Sequence, residues 1–172
     1  IVNDYAEKDL LRVLQEYGEI QRAGKLVNAI LKRREEGRIE TTFDLRDVVI
    51  SVVGQKEQNK ILAQVFQALR IEVNGEMGAL RDLLMHSAKV LRPGGRLSII
   101  SYHSLEDRMV KNLIRSGDVS KQNAEQDIYG HCAVPYEAVN RKVVVPSEEE
   151  IERNNRARSA KLRIAERTDV YV

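Results

Sequence analysis

Tyr102, His103 and Ser104 stand together immediately after the apolar run Leu97-Ser98-Ile99-Ile100-Ser101. A phenol, an imidazole and a hydroxyl at the end of a strand can align a polar substrate atom and exchange hydrogen bonds with it. Open α/β sheets bind their ligands beyond the carboxyl ends of their strands. His103 or Ser104 would then accept a hydrogen bond from an amine and hold it for attack. A second group lies near the end of the chain. Arg153, Arg156, Arg158, Lys161 and Arg163 follow one another without an intervening acid, and such a cluster can neutralise nucleic-acid phosphates. Arg108, just inside the helix after Ser104, belongs with these cations as a candidate RNA contact. Each feature also has a plainer explanation. Ser104 and Asp107 have capping-box spacing and can simply open a helix. Glu148, Glu149, Glu150 and Glu152 can balance the cations as a solvated face.

Other polar residues read more simply. His86, His131 and the single cysteine, Cys132, have no ligand company at metal-site spacing. Lys32-Arg33-Arg34 falls where a helix should end, and cations favour a helix C-terminus. Tyr17-Gly18-Glu19 fits a turn between helices or part of a substrate-facing surface. Arg70 and Asn74 lie on a mostly apolar helix and are expected to tie the helical part to the sheet part.

Positioning these groups requires helices first and strands later. Asn3 or Asp4 can cap a helix bearing Leu10, Leu11, Val13 and Leu14. Ile20, Ala23, Leu26, Val27, Ile30 and Leu31 recur at helical steps toward a stop at Gly37. Thr42 can cap a third helix with Leu45, Val48, Val49 and Val52 inward, ended by Gly54. From Lys56, the stripe Leu62, Val65, Phe66, Leu69 and Val73 predicts a longer helix broken by Gly75. Leu80, Leu83, Leu84, Ala88 and Leu91 predict the next. Arg92-Pro93-Gly94-Gly95 then turns the chain into a strand over 96–101. A helix from Ser104 to about Arg115, an irregular stretch from Ser116 to Val134, and a strand from Val139 to Val145 ended by Pro146 follow. Ser147 with Glu150 opens a short helix, and Ser159 to Glu166 alternates as a strand does.

The 172 residues, 42% hydrophobic and 31% charged with a net charge of +2, suit a folded, charge-mixed protein of one domain or one domain plus part of another. Absent Trp and an aromatic content of 5% argue against a single-strand binder built on stacked aromatics. No apolar run reaches membrane-spanning length, and no signal peptide precedes Asp4. A cytoplasmic location without membrane partners is the expectation. The chain does not begin with Met, which suggests a start inside a longer protein.

Three blocks, in order, carry a family resemblance: Gln67-Ala68-Leu69-Arg70-Ile71-Glu72-Val73-Asn74, then Ser101-Tyr102-His103-Ser104-Leu105-Glu106-Asp107-Arg108, then Asn155-Arg156-Ala157-Arg158-Ser159-Ala160-Lys161-Leu162-Arg163. With Tyr17-Gly18-Glu19 and Thr41-Thr42, they resemble the RsmH/MraW methyltransferases. The stretch from Leu91 to Leu97 resembles the approach to the fifth strand of a class I methyltransferase sheet. The resemblance implies an α/β fold, with a helical insertion domain over 1–74 and the C-terminal strands and helices of a Rossmann-like sheet over 75–172. It implies S-adenosylmethionine as cofactor, small-subunit ribosomal RNA as partner and a cytosine N4 as the methyl acceptor. Tyr102, His103 and Ser104 become the candidate catalytic residues. Arg108, Arg156, Arg158, Lys161 and Arg163 become the RNA contacts.

The family's glycine-rich, cofactor-holding half has no counterpart here, so no residue of this chain is expected to bind the cofactor. The chain alone should be inactive, and its strand over 96–101 should expose an edge that invites self-association. Other readings are a non-catalytic helical RNA-binding or protein-interaction module, and a methyltransferase acting on a small molecule.

Overall fold

A computed structural model describes residues 1–122, 133–140 and 142–170. His131 and Cys132 lie outside these described residues. The chain divides into two compact units, Ile1–Glu76 and Met77–Val172.

The first unit is helical, with α1 at Glu7–Glu16, α2 at Ala23–Glu36, α3 at Thr42–Val52 and α4 at Gln58–Asn74. Its core joins Leu10, Val13 and Leu14 of α1 to Leu26, Val27 and Ile30 of α2, Leu45 and Val49 of α3, and Val65 and Ala68 of α4. Three details depart from sequence expectation. α1 has no side-chain cap. Asn3 instead accepts from the Ile39 N–H at 2.9 Å and donates to the Ile39 carbonyl at 2.8 Å, stitching two loops together. The cap of α3 is Thr41 and not Thr42: its hydroxyl takes the Asp44 N–H while the Asp44 carboxylate takes the Thr41 N–H, a reciprocal capping box. Val73 is 71% exposed and Val52 also faces out. The buried face of α4 runs through Val65, Ala68 and Ile71, and Glu72 takes the place beside it. That carboxylate accepts from Arg12 at 2.6 Å and from the Tyr5 hydroxyl at 3.0 Å.

α4 ends at Gly75 in the left-handed region, φ 61°. Arg70 and Asn74 both bind the Glu76 carboxylate at 2.9 Å, across this turn to the first residue of the next helix. Arg33 and Arg34 confirm the helix-end reading of their cluster. Arg33 donates to the Gly37 carbonyl, and Arg34 donates to the carbonyls of Val2, Asn3 and Tyr5.

The second unit contains α5 (Glu76–Val90, whose first residue belongs to the first unit), β1 (Arg96–Ser101), α6 (Ser104–Ser116), β2 (Tyr136–Ala138), α7 (Glu148–Arg153) and β3 (Lys161–Arg167). The sheet order is β1-β3-β2, and every pairing is antiparallel. β1 and β2 therefore run the same way, on either side of β3. The sequence placed a strand over 139–145. The strand begins earlier, at the fully buried Tyr136. Beyond Ala138 the described residues rejoin β3 through Val139 and the bridge from Val144 to Leu162. The valines that favoured a strand there (Val139, Val144 and Val145) are exposed, so β-branched composition alone misplaced the element.

Leu84 and Ala88 of α5, Val110 and Leu113 of α6, Tyr136 and Ala165 form the core. Leu83, expected inside, is 57% exposed. Ser87 occupies the inner face instead and shares a 2.6 Å hydrogen bond with the Tyr136 hydroxyl. The buried Arg167 donates to the Ala88, Thr168 and Pro135 carbonyls, placing a cation at the C-terminal end of α5 where the helix dipole favours it.

Gly117 caps α6 at φ 76°. A Cβ there would stand 2.8 Å from Pro135 Cδ. Gly117→Ala therefore combines a left-handed penalty of roughly 1–2 kcal/mol with a clash against the segment leading into β2. Denaturant melts of the variant should show a loss of more than about 1 kcal/mol. An unchanged midpoint would refute this account.

Candidate active site and basic surface

β1 delivers its last residue, Ser101, into a buried position, and α6 begins three residues later. The turn between them is held by Glu106. Its Oε2 accepts from the Tyr102 N–H at 2.8 Å and the His103 N–H at 3.3 Å. The Glu106 N–H in turn reaches His103 Nδ1 at 3.4 Å. His103, not Ser104, is therefore the helix cap, and Glu106, not Asp107, is its capping-box partner. With Nδ1 accepting, the neutral ring carries its proton on Nε2, which lies 3.3 Å from Glu106 Oε1. The His103 side chain is only 9% exposed. The imidazole thus holds the turn, while Tyr102, 57% exposed, and Ser104 lie on the outer surface. The sequence carried a signal for this arrangement: His103 and Glu106 have the same three-residue spacing as Ser104 and Asp107, one position earlier.

Asp107 neither caps nor faces outward. Its carboxylate, 12% exposed, receives Arg163 Nε at 2.7 Å, Arg163 Nη2 at 3.2 Å and Lys161 Nζ at 3.3 Å. The bidentate geometry suits guanidinium better than any other cation. Two of the five expected RNA contacts are thus drawn inward to clamp α6 on β3. Burial alone would raise the Asp107 pKa, but the hydrogen bonds and charges of Arg163 and Lys161 outweigh it and hold the carboxyl below its usual value.

Arg156 and Arg158 differ. They are exposed on the 3-10 turn Asn155–Ser159, anchored by the buried Ala157 between them. Among the described residues neither side chain forms an ion pair. Of the acids upstream, Glu149 pairs with Arg153 at 3.6 Å. Arg108 is exposed on α6. No cluster of His, Cys, Asp or Glu among the described residues could hold a metal ion, and no helix is long and apolar enough to cross a membrane.

Among the described residues the one glycine-rich turn, Gly94-Gly95, does not fit the adenosyl cofactor. Gly94 and Gly95 form a helix-to-strand turn, whereas nucleotide cradles use strand-to-helix turns. The Gly94 N–H donates to the Arg167 carbonyl, and the Gly95 carbonyl accepts from the Arg167 N–H, both at 2.8 Å. These backbone groups are consumed by the sheet.

The ion pair carries a pH signature. Because the Asp107 pKa is lowered in the fold, its contribution is present above the unfolded value, about 3.9, and is lost as pH falls through the folded value. Asp107→Asn should destabilise the protein by about 1–3 kcal/mol at neutral pH. The gap to wild type should narrow as pH drops below about 4. A gap independent of pH would place the effect in packing and not in charge.

A family model described as the MraW methylase family matches residues 1–168. Ribosomal RNA small subunit methyltransferase H of Parabacteroides distasonis is 51% identical over 167 residues, covering 97% of this chain and 54% of the relative. The proteins of the same name from Flavobacterium johnsoniae and Cytophaga hutchinsonii are 49% and 51% identical, each over 97% of this chain and 55% of the relative. The chain spans about half the length of the curated relatives it matches. With the match running through both compact units, this chain belongs to the MraW methylase family.

Proposed function

We propose that this chain is part of an enzyme that methylates the N4 atom of a cytosine in small-subunit ribosomal RNA, with S-adenosylmethionine as donor. Family membership and the relatives' name support the methyl transfer and the RNA substrate. The observation that carries the site is the β1–α6 turn, which puts Tyr102 and Ser104 outward at a strand's carboxyl end. In this reading residues 1–74 form a helical substrate-recognition domain, and residues 75–172 form the C-terminal part of a class I, Rossmann-like domain acting in the cytoplasm. The outer edge of β1, which pairs only with β3 among the described strands, is where the sheet continues in the complete enzyme. Pairing with another copy is the competing use of that edge. The cofactor is held by residues outside this chain.

The cytosine amine is a weak nucleophile because its lone pair is delocalised into the ring. The protein's task is to orient that amine and accept its hydrogen bonds as charge develops. Ser104 and the Tyr102 hydroxyl are the candidates for contact. His103 acts through the turn as a positioning residue. The RNA strand is held by Arg156 and Arg158, with Arg108 and Lys161 adjoining. Arg163 contributes by fixing α6 against β3.

Two experiments on the full-length enzyme test this reading. Ser104→Ala should lower the methyl-transfer rate at least tenfold while leaving the melting temperature almost unchanged, since Ser104 is not the cap. His103→Ala should cost about 1 kcal/mol of stability, as a lost cap does, and should also slow transfer. An unaltered rate in Ser104→Ala and Tyr102→Phe would remove the turn from the site. Replacing both Arg156 and Arg158 with Ala should weaken RNA binding and reduce the salt slope by about one to two. An unchanged slope would return them to the solvated surface.

A further inference from the structure

A concave site separate from the β1–α6 turn lies within the second unit, with a volume of about 350 Å³. Pockets that hold small ligands run from about 300 to 1,000 Å³. Its apolar lining comes from Ile114 of α6, Val134 and Val143 of the flanking segments, and Ile164 of β3. Lys111, Arg115 and Lys142 also line it, and all three are exposed. None of them forms an ion pair or side-chain hydrogen bond among the described residues, unlike Lys161 and Arg163 nearby. Among the described residues Glu137 is the one carboxylate on the lining, and it too makes no ion pair.

The arrangement is amphipathic in a specific way, with an aliphatic wall bordered by uncompensated cations. Asp107, Lys111 and Arg115 follow one another at four-residue steps and so share one stripe of α6. That stripe begins at the ion pair with Arg163, which itself lines the cavity. From Ser104 to Arg115 the helix advances about 16 Å, which stacked nucleotides at about 3.4 Å each would cover in roughly five steps. We propose that this cavity holds an unpaired nucleotide of the RNA substrate a few positions from the methylated base. The base lies against Ile114, Val143 and Ile164, and the flanking phosphates lie on Lys111, Arg115 and Lys142. Glu137 accepts hydrogen bonds from an exocyclic amine or a ribose hydroxyl. An acidic peptide would match the cations but would leave the aliphatic wall without a flat partner. The inference rests on the RNA-methylating reading and adds a second anchoring point to it.

The test uses the full-length enzyme and a short single-stranded RNA spanning the target. Lys111→Gln, Arg115→Gln and Lys142→Gln are surface changes that should preserve the fold. Combined, they should weaken binding at least tenfold at low salt. The slope of log affinity against log salt should fall by about two, at roughly 0.7 per phosphate on a single strand. Wild type should bind the RNA more tightly than an abasic ribose-phosphate oligomer of equal length. Ile114→Ala with Val143→Ala should narrow that preference at least threefold. The proposal is overturned by an unchanged slope in the triple variant, by equal affinity of wild type for the abasic oligomer, or by polyaspartate displacing the RNA at equal charge. Methyl transfer to small-subunit RNA is measured in the same series. Binding through this cavity without any transfer would uphold the cavity and overturn the proposed activity. Transfer with binding indifferent to all five substitutions would do the opposite.

Discussion

A carboxylate withdrawn from water must be compensated, and Asp107 is the point in the second unit where that requirement fixes the architecture. It lies on the first turns of α6, and its compensation comes from Arg163 and Lys161, 56 and 54 residues away on β3. Removing one partner of such a set leaves charge stranded, so the set behaves as one interaction. It seats α6 on the sheet, and seating α6 sets where the β1–α6 turn presents Tyr102 and Ser104. It also consumes two cations that would otherwise belong to the basic surface. Arg108, Lys111, Arg115, Lys142, Arg156 and Arg158 stay exposed.

The helical unit solves a similar problem with Glu72. Placed beside the buried stripe of α4, it is satisfied by Arg12 and Tyr5. The hydrogen bond to Glu72, with its charge, raises the Arg12 pKa against the opposing effect of burial, and the hydrogen bond to Glu72 raises the Tyr5 pKa, keeping the phenol a donor. In both units, packing is supplied by aliphatic side chains and registry by a carboxylate that reaches across a large gap in sequence.

Helix periodicity and helix stops were legible. α2, α3, α4 and α6 lie where their apolar steps and their glycines place them, because an α-helix is specified within a few residues of itself. Ser147 caps α7 where its spacing to Glu150 placed it, and α1 has no side-chain cap where Asn3 or Asp4 was expected. Two caps were legible only to within one position, Thr41 for Thr42 and His103 for Ser104. Two adjacent residues can present the same spacing to an acid, and only the backbone decides between them. β2 was misplaced because valines at 139, 143, 144 and 145 look like a strand while the buried Tyr136 carries the pairing. The roles of Lys161 and Arg163 were not legible, since a run of cations carries no mark of which ones meet a carboxylate on another element. The β1–α6 turn itself was legible, and which of its residues caps α6 was not.

The β1–β3 pairing has a consequence for how the protein is made. Ser101 finds its partner Lys161 only after 60 further residues have been added. At about 5–20 residues per second on the ribosome, that leaves β1 waiting for about 3–12 s with its ladder unformed. Ile100 and Tyr102 are exposed even in the finished fold. The helical unit, complete by Glu76, can close during the same time, because its ties from Asn3 to Ile39 and from Tyr5 to Glu72 need nothing downstream. On its β3 side β1 therefore stays unpaired for several seconds after the helical unit is complete.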